Sequence, residues 1–262
     1  MIRALYTAAS GMSAQQANLD TVANNLANSA TAGFRSRRVQ FEDMIYQNLV
    51  TPGSPASIQT TQAGLQIGLG TRSAATEVIM TQGDFNQTSN PLDVAIQGQG
   101  FFQIQRPDGT LAYTRAGSFH LNNQGVIVTV DGDILLPSIS IPANATNIAI
   151  SNYGIVSANI PGQTNVANLG TLQLANFANP GGLTSLGGNL FMQSPSSGNP
   201  ITDTPGGTSG VGTLQEGYVE NSNVDVVTEF VQMILAQRAY ESNSKVIHVA
   251  DDMYQQINGM VR

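Results

Sequence analysis

The chain has no cysteine and no tryptophan among its 262 residues, and only 10% of them are charged. Without cysteine there can be no disulfide framework, no thiolate zinc site and no cysteine nucleophile. Histidine is almost as scarce, with two in all. His120 stands at the edge of an expected strand and His248 inside an expected helix, and neither sits in a nucleophile or metal-ligand pattern. Acidic residues outnumber basic ones, 17 to 10, giving a net charge of −7. That balance lacks the basic face that phosphate neutralisation requires, so no nucleic-acid partner is expected. The one basic cluster, Arg35, Arg37 and Arg38, reads as a solvated face. No apolar run approaches the roughly eighteen residues of a membrane helix, so no membrane insertion is expected. The start, Met1-Ile2-Arg3-Ala4-Leu5, lacks the apolar core and cleavage site of a secretory signal, so any route out of the cytoplasm would be a different one.

Two faint motifs dissolve on inspection. Asp131-Gly132-Asp133 echoes a calcium loop but lacks the remaining ligand positions and the closing Glu, so a turn is the better reading. Gly98-Gln99-Gly100 has no third glycine at the dinucleotide-binding step. It runs on into Phe101-Phe102-Gln103-Ile104 as strand, which fits close backbone packing or a bulge. No catalytic residue, metal ligand or cofactor is expected, and the chain does not read as an enzyme.

What the sequence does contain is periodicity at both ends. Ile2, Leu5, Ala9, Met12, Gln16, Leu19, Ala23 and Leu26 follow at alternating steps of three and four, the spacing of a coiled-coil seam. Val226, Phe230, Met233, Gln237 and Tyr240 repeat the pattern. Val246, Ala250, Met253, Ile257 and Met260 form a third stripe, offset by one residue. One long helix is expected from Asn223 to about Val261, with Ser222 and Asp225 near its start resembling a capping box. A single seam does not repay the entropy of ordering so much chain. Both ends are therefore expected to fray in a free monomer and to order when Val22 and the small faces at Ala4, Ala8 and Ala27 are covered by other molecules.

Between the helices the sequence reads differently. Asn28, Ser29 and Gly33 should end the first helix and bend the chain. Residues 39–49 read as a short helix or an extended arm, and 51–64, with two Pro and two Gly, as a linker or long loop. Short β runs separated by turn residues follow. They include Val94 to Gln97, Phe101 to Gln105, Leu111 to Thr114, Ser118 to Leu121, Val126 to Val130, Ile134 to Leu136, Ile139 to Ile141, Ile148 to Ile150, Ile155 to Ser157 and Leu172 to Phe177. Their spacing favours an antiparallel, twisted β-domain. Gly187 to Gly212, rich in Gly, Ser, Pro and Thr, is expected to be a long exposed excursion. The expected class is α+β: long N- and C-terminal helices forming a coiled coil, with a central, antiparallel, barrel-like β-rich domain. The boundaries are 1–30 with 222–262 for the helical domain, 31–64 for a connecting arm and loop, and 65–221 for the β-rich domain.

Three ordered blocks then resemble the rod and hook group of bacterial flagellar axial proteins. The first is Leu5-Tyr6-Thr7-Ala8-Ala9-Ser10-Gly11-Met12 with Ala23-Asn24-Asn25-Leu26-Ala27-Asn28 and Thr31-x-Gly33-Phe34. The second is Asp93-Val94-Ala95-Ile96-x-Gly98-x-Gly100-Phe101-Phe102 with Tyr113-Thr114-Arg115-x-Gly117-x-Phe119. The third is Gln215-x-Gly217-Tyr218-Val219-Glu220-x-Ser222-Asn223-Val224-Asp225 with Gln237-Arg238-Ala239-Tyr240-Glu241. Tyr46-Gln47 through Pro52-Gly53 to Gln59-Thr60-Thr61, followed by Gly64-Leu65-Gln66-Ile67-Gly68, resembles the insertion of the distal-rod members.

The resemblance implies a helical homopolymer, its paired terminal helices forming an inner tube and its β-rich domains outside. Such a tube would carry torque from motor to hook across the periplasm and conduct exported subunits. It would meet proximal rod and hook subunits and the surrounding outer-ring bushing proteins. Export would use the flagellar type III system. The assembly interface expected on this basis comprises Ile2, Leu5, Met12, Leu19, Leu26, Asn24, Asn25, Phe230, Met233, Tyr240, Met253 and Ile257, and the distal-rod loop Tyr46, Pro52, Gly53, Thr60 and Gly64. A proximal rod or hook-type subunit is the alternative, and a cell-wall glycan-binding module a more distant one.

Overall fold

No proline occurs before Pro52, and the opening segment forms one uninterrupted helix, α1, Ile2–Ala27. In the computed structural model, which describes residues 2–50, 55–56, 59–60, 64–162 and 165–260, the architecture is α+β. Turns at 28–30 end α1, and Gly33 then takes a left-handed φ of +70° that glycine adopts without strain. The second long helix, α2, runs Val226–Met260. Its cap is Asp225, whose carboxylate accepts from the Val227 amide at 3.0 Å and the Thr228 hydroxyl at 2.7 Å. The start therefore falls three residues beyond the expected Asn223, whose side chain is occupied elsewhere.

The chain divides into two compact units. The described parts of 1–27, 37–78 and 225–262 form the first, and 28–36 with 79–224 the second. In the first unit α1 lies along α2 and also against the strands Arg37–Asp43 and Thr71–Val78. Those strands pair antiparallel, Arg37 opposite Val78 and Asp43 opposite Thr71, with a bulge between Gln40 and Phe41. Tyr46–Val50 pairs with Leu65–Gly68, and Pro55–Ala56 with Gln59–Thr60. The arm is thus β-ribbon, and Pro55–Ala56 with Gln59–Thr60 places strand pairing inside the stretch expected to be loop.

The helix contact is turned by one residue from the expected seam. Ala8, Val22 and Asn25 are buried, one position before Ala9, Ala23 and Leu26, and Ala14 is buried as well. On α2 the buried positions are Ala236 and Ala250. A stripe drawn through the largest side chains misses this, because small residues set the interaxial distance and let the backbones approach. A Cβ on Gly11 would stand 2.8 Å from Asn243 Nδ2, which marks how close that approach is. Ala8 and Val22 are accordingly covered by their own chain rather than left for another molecule.

In the second unit a nine-stranded sheet is antiparallel throughout. Its path runs through His120–Leu121, Ile127–Val128, Ile134–Leu136, Phe101–Gln105, Leu111–Thr114, Leu190–Met192 and Thr184–Gly187. Leu174–Asn176 joins it beside Phe101–Gln105 and pairs on its other side with Ile201–Asp203. Thr146–Ile150, Ile155–Asn159 and Ala167–Thr171 make a three-stranded sheet. Thr213–Glu216 pairs with Val94–Gln97, and Tyr218–Glu220 with Phe85–Gln87. Ile96, Phe102, Ile104, Leu135, Leu174 and Leu214 belong to one buried cluster, in which Phe102 meets Phe119 edge to face at 5.0 Å.

Two expectations change here. The segment from Gly187 to Gly212 is not an exposed excursion, since it supplies two strands of the sheet and buries Phe191 and Val211. Its small polar composition concealed both strands: Leu190–Met192 buries only Phe191, and Ile201–Asp203 buries no residue. Ile139 and Ile141 are buried in the core, but their segment forms a single bridge, Val126 to Ser140, rather than a strand. Gly117 is required by space: a Cβ there would overlap the Val94 carbonyl oxygen.

Candidate functional site

The apolar residues that α1 and α2 do not bury against each other remain in the open. Leu5, Met12, Leu19 and Leu26, spaced by seven, are half-buried on α1. On α2 Met233 is half-buried, whereas Phe230, Tyr240, Met253 and Ile257 are exposed. Periodicity missed several more, Val227 (71% exposed), Ile234, Leu235 (63%) and Val249 among them. The signal was present as a second set of apolar positions on a helix that is apolar on more than one face. Asn24 is exposed, and only the backbone of Ile2 is described, within α1.

The ribbon repeats the pattern. Phe41, Ile45, Tyr46, Leu49 and Leu65 are all exposed, and the strand Tyr46–Val50 is exposed along its whole length. The Tyr46 ring lies over Gly68, where a Cβ would stand 3.3 Å from the ring edge. Gly64 is half-buried, Thr60 is described only as strand backbone, and Pro52 and Gly53 lie outside the described residues. A two-stranded ribbon cannot cover apolar side chains on this scale by itself.

Asn25 is bound inside the first unit. Its carbonyl oxygen accepts from the Arg37 amide at 2.9 Å, and its amide nitrogen donates to the Arg37 carbonyl at 2.8 Å and to Glu229 Oε1 at 3.1 Å. One side chain thus ties α1, the first strand and α2 together. Glu229 Oε2 is buried without a partner. Burial raises the Glu229 carboxyl above its ordinary value, opposed by the Asn25 hydrogen bond and reinforced by Asp225.

In the second unit Arg35, the first member of the basic cluster, proves not to lie on a solvated face. Arg35 is buried, and Arg115 with it. Both meet Glu220, which is 0% exposed: Arg35 Nη2 donates to Oε1 at 2.6 Å and Arg115 Nε to Oε2 at 3.1 Å. The Gly83 amide donates to Oε1 at 3.0 Å, and the Gly33 amide to the Glu220 carbonyl at 2.8 Å. Arg115 spends its other donors on the Gly98 and Gly100 carbonyls, at 2.9 and 2.6 Å. Burial, with Arg35 adding to it against the pull of Glu220, lowers the Arg115 guanidinium to about 10. Only Arg38 behaves as expected, in an exposed pair with Glu77. Nothing in the spacing of Arg35, Arg115 and Glu220 announces that they converge.

Asn223 extends this network. Its Oδ1 accepts from the Ser36 amide at 2.7 Å, and its Nδ2 donates to the Ile79 and Thr81 carbonyls at 2.9 and 3.1 Å. His120 and His248 are exposed, and among the described residues no group of three potential metal ligands comes together. The features available to do work are therefore unfinished apolar surfaces and a buried ion network.

Comparison with known proteins agrees with these segments. Residues 5–35 match the flagella basal body rod protein family, residues 95–158 the D1 domain of the flagellar hook protein FlgE/F/G family, and residues 215–260 the C-terminal region of the flagellar basal body rod FlgEFG family. The flagellar basal-body rod protein FlgG of Buchnera aphidicola subsp. Schizaphis graminum is 49% identical over 259 residues, covering 98% of this chain and 99% of that protein. The Caulobacter vibrioides protein of the same name is 47% identical over 256 residues, 97% of each. Identity falls to 28% against the flagellar hook-basal body complex protein FlhP of Bacillus subtilis, over 99% of this chain and 100% of that one.

Proposed function

This chain belongs to the FlgG family of flagellar basal-body rod proteins, and from that premise we propose that it is a structural subunit of the distal rod, working by polymerisation rather than catalysis. Copies build a helical, hollow shaft whose wall is lined by α1 and α2. That shaft transmits torque from motor to hook and conducts exported subunits. The observation that carries this reading is the apolar surface left open on α2, where Val227, Ile234, Leu235 and Val249 are all exposed on one long helix.

In the polymer α1 and α2 form a coiled coil completed by neighbouring copies. Leu5, Met12, Leu19, Leu26, Phe230, Met233, Tyr240, Met253 and Ile257 lie at those contacts, and Ile2 and Asn24 join them. Asn25 acts from inside, holding the helix pair and the first strand in register. The ribbon from Tyr46, through its loop, to Gly64 and Leu65 packs between copies and stiffens the shaft. The subunit crosses the periplasm as part of the rod after type III export. Its partners are its own copies, the proximal rod and hook subunits at the two ends, and the outer-ring bushing around it.

Within Bacillus subtilis, identity of 38% to FlgG against 28% to FlhP supports a FlgG-type rod subunit, which we assign to the distal rod. Gold labelling of an epitope-tagged chain in isolated basal bodies tests this. Label should lie along the distal rod; label confined to the proximal rod or to the hook would reject the assignment.

A further inference from the structure

The segment 211–224 is the last strand-forming part of the second unit, and it is attached to several stretches of that unit far apart in sequence. Val211 and Leu214 fill the core cluster. The Gly212 amide donates to the Gln99 carbonyl, the Leu214 amide to Asn152 and the Gly217 amide to Asp93. Thr213–Glu216 and Tyr218–Glu220 are the strand partners of Val94–Gln97 and Phe85–Gln87. Among the described residues, Glu220 is the one acidic side chain paired with either Arg35 or Arg115. It follows Arg35 by 185 positions and Arg115 by 105.

We infer that this geometry is a completion lock: the second unit cannot close as a stable β-structure until residues 211–224 have arrived, and the Glu220 carboxylate is the element that closes it. Before arrival, docking the sheet would bury two guanidiniums with no carboxylate between them. A buried charge without its counter-ion is disfavoured far more strongly than a missing surface contact. Two strands would lack their partners, and the buried core would be open at the positions of Val211 and Leu214. Each nearby hairpin, such as Phe101–Gln105 with Leu111–Thr114, forms from local contacts but has too little covered surface to persist alone. The long separations make the closing contacts slow and late, so a partial chain stays open and a whole chain closes in one step. The lock belongs to the single chain and holds whether or not copies assemble.

Pulse-labelled hydrogen exchange during refolding of the full chain tests it without any substitution. Amides of Phe101–Gln105 and Leu111–Thr114 should gain protection in the same kinetic phase as those of 214–220. Glu220→Gln in the full chain, which keeps the shape and removes the charge, should lower native protection of Phe101–Gln105 by about a hundredfold or more. Protection of Phe101–Gln105 in a phase preceding 214–220 would overturn the lock. So would a Glu220→Gln chain whose protection stays within about threefold of the parent, since then the carboxylate closes nothing.

Discussion

Replacing Leu235 with glutamate separates folding from assembly. Leu235 is 63% exposed in the single chain, so the substitution removes little from the folded monomer. If a neighbouring copy covers it, the remaining exposed part of the side chain contributes about 1 to 2 kcal/mol to each contact, from the roughly 1.5 to 3 kcal/mol of a fully buried leucine. Placing an unpaired carboxylate in that covered site adds a desolvation cost of several kcal/mol. A combined loss of about 3 kcal/mol or more raises the critical concentration for polymerisation by on the order of a hundredfold. Leu235→Ala, which introduces no charge, should raise it only about tenfold. Sedimentation of polymer from monomer over a concentration series measures both, and a thermal melt of the monomer checks that its transition is unmoved. A critical concentration that Leu235→Glu leaves within about threefold of the parent would refute the reasoning, because the residue would then face solvent in the shaft too.

Other perturbations address single features. The Glu229 carboxyl is raised in the folded state, so the stability it contributes is complete below the unfolded-state pKa and is lost as pH rises through the folded value. Glu229→Gln should therefore melt above the parent near neutrality and flatten the acid-side dependence, read by thermal melts from about pH 4 to about pH 8. Asn25→Ala removes three hydrogen bonds and leaves the Arg37 backbone groups unpaired, a cost of about 2 to 4 kcal/mol, visible as rapid exchange of the Arg37 amide. Deleting residues 46–64 should give a polymer that still forms but bends more easily, measured as persistence length in electron micrographs; an unchanged persistence length would count against the ribbon's role.

How much of this was legible in sequence depends on whether the signal was periodic or convergent. The two helices and the hairpin at Phe101–Gln105 were legible because local spacing and turn residues dictate them. The contact face of α1 was one residue off, since apolar size and closeness of approach pull in opposite directions and the small residues Ala8 and Gly11 won. Strands Leu190–Met192 and Ile201–Asp203 were hidden by glycine and serine, with a single buried Phe191 as the clue. Arg35 looked like part of a charged surface because two arginines follow within three positions. Its carboxylate lies 185 residues away, and no local pattern reports a pairing at that distance.

The absence of cysteine provides the most direct test of the claim that other copies complete the helix surface. A single Val249→Cys substitution places one thiol on α2 where the free chain exposes 54% of the valine. Its maleimide labelling rate should be that of an accessible thiol in monomer and about a hundredfold slower in assembled rods. Equal rates in the two states would show that this face of α2 stays open to solvent in the polymer, and would contradict the account.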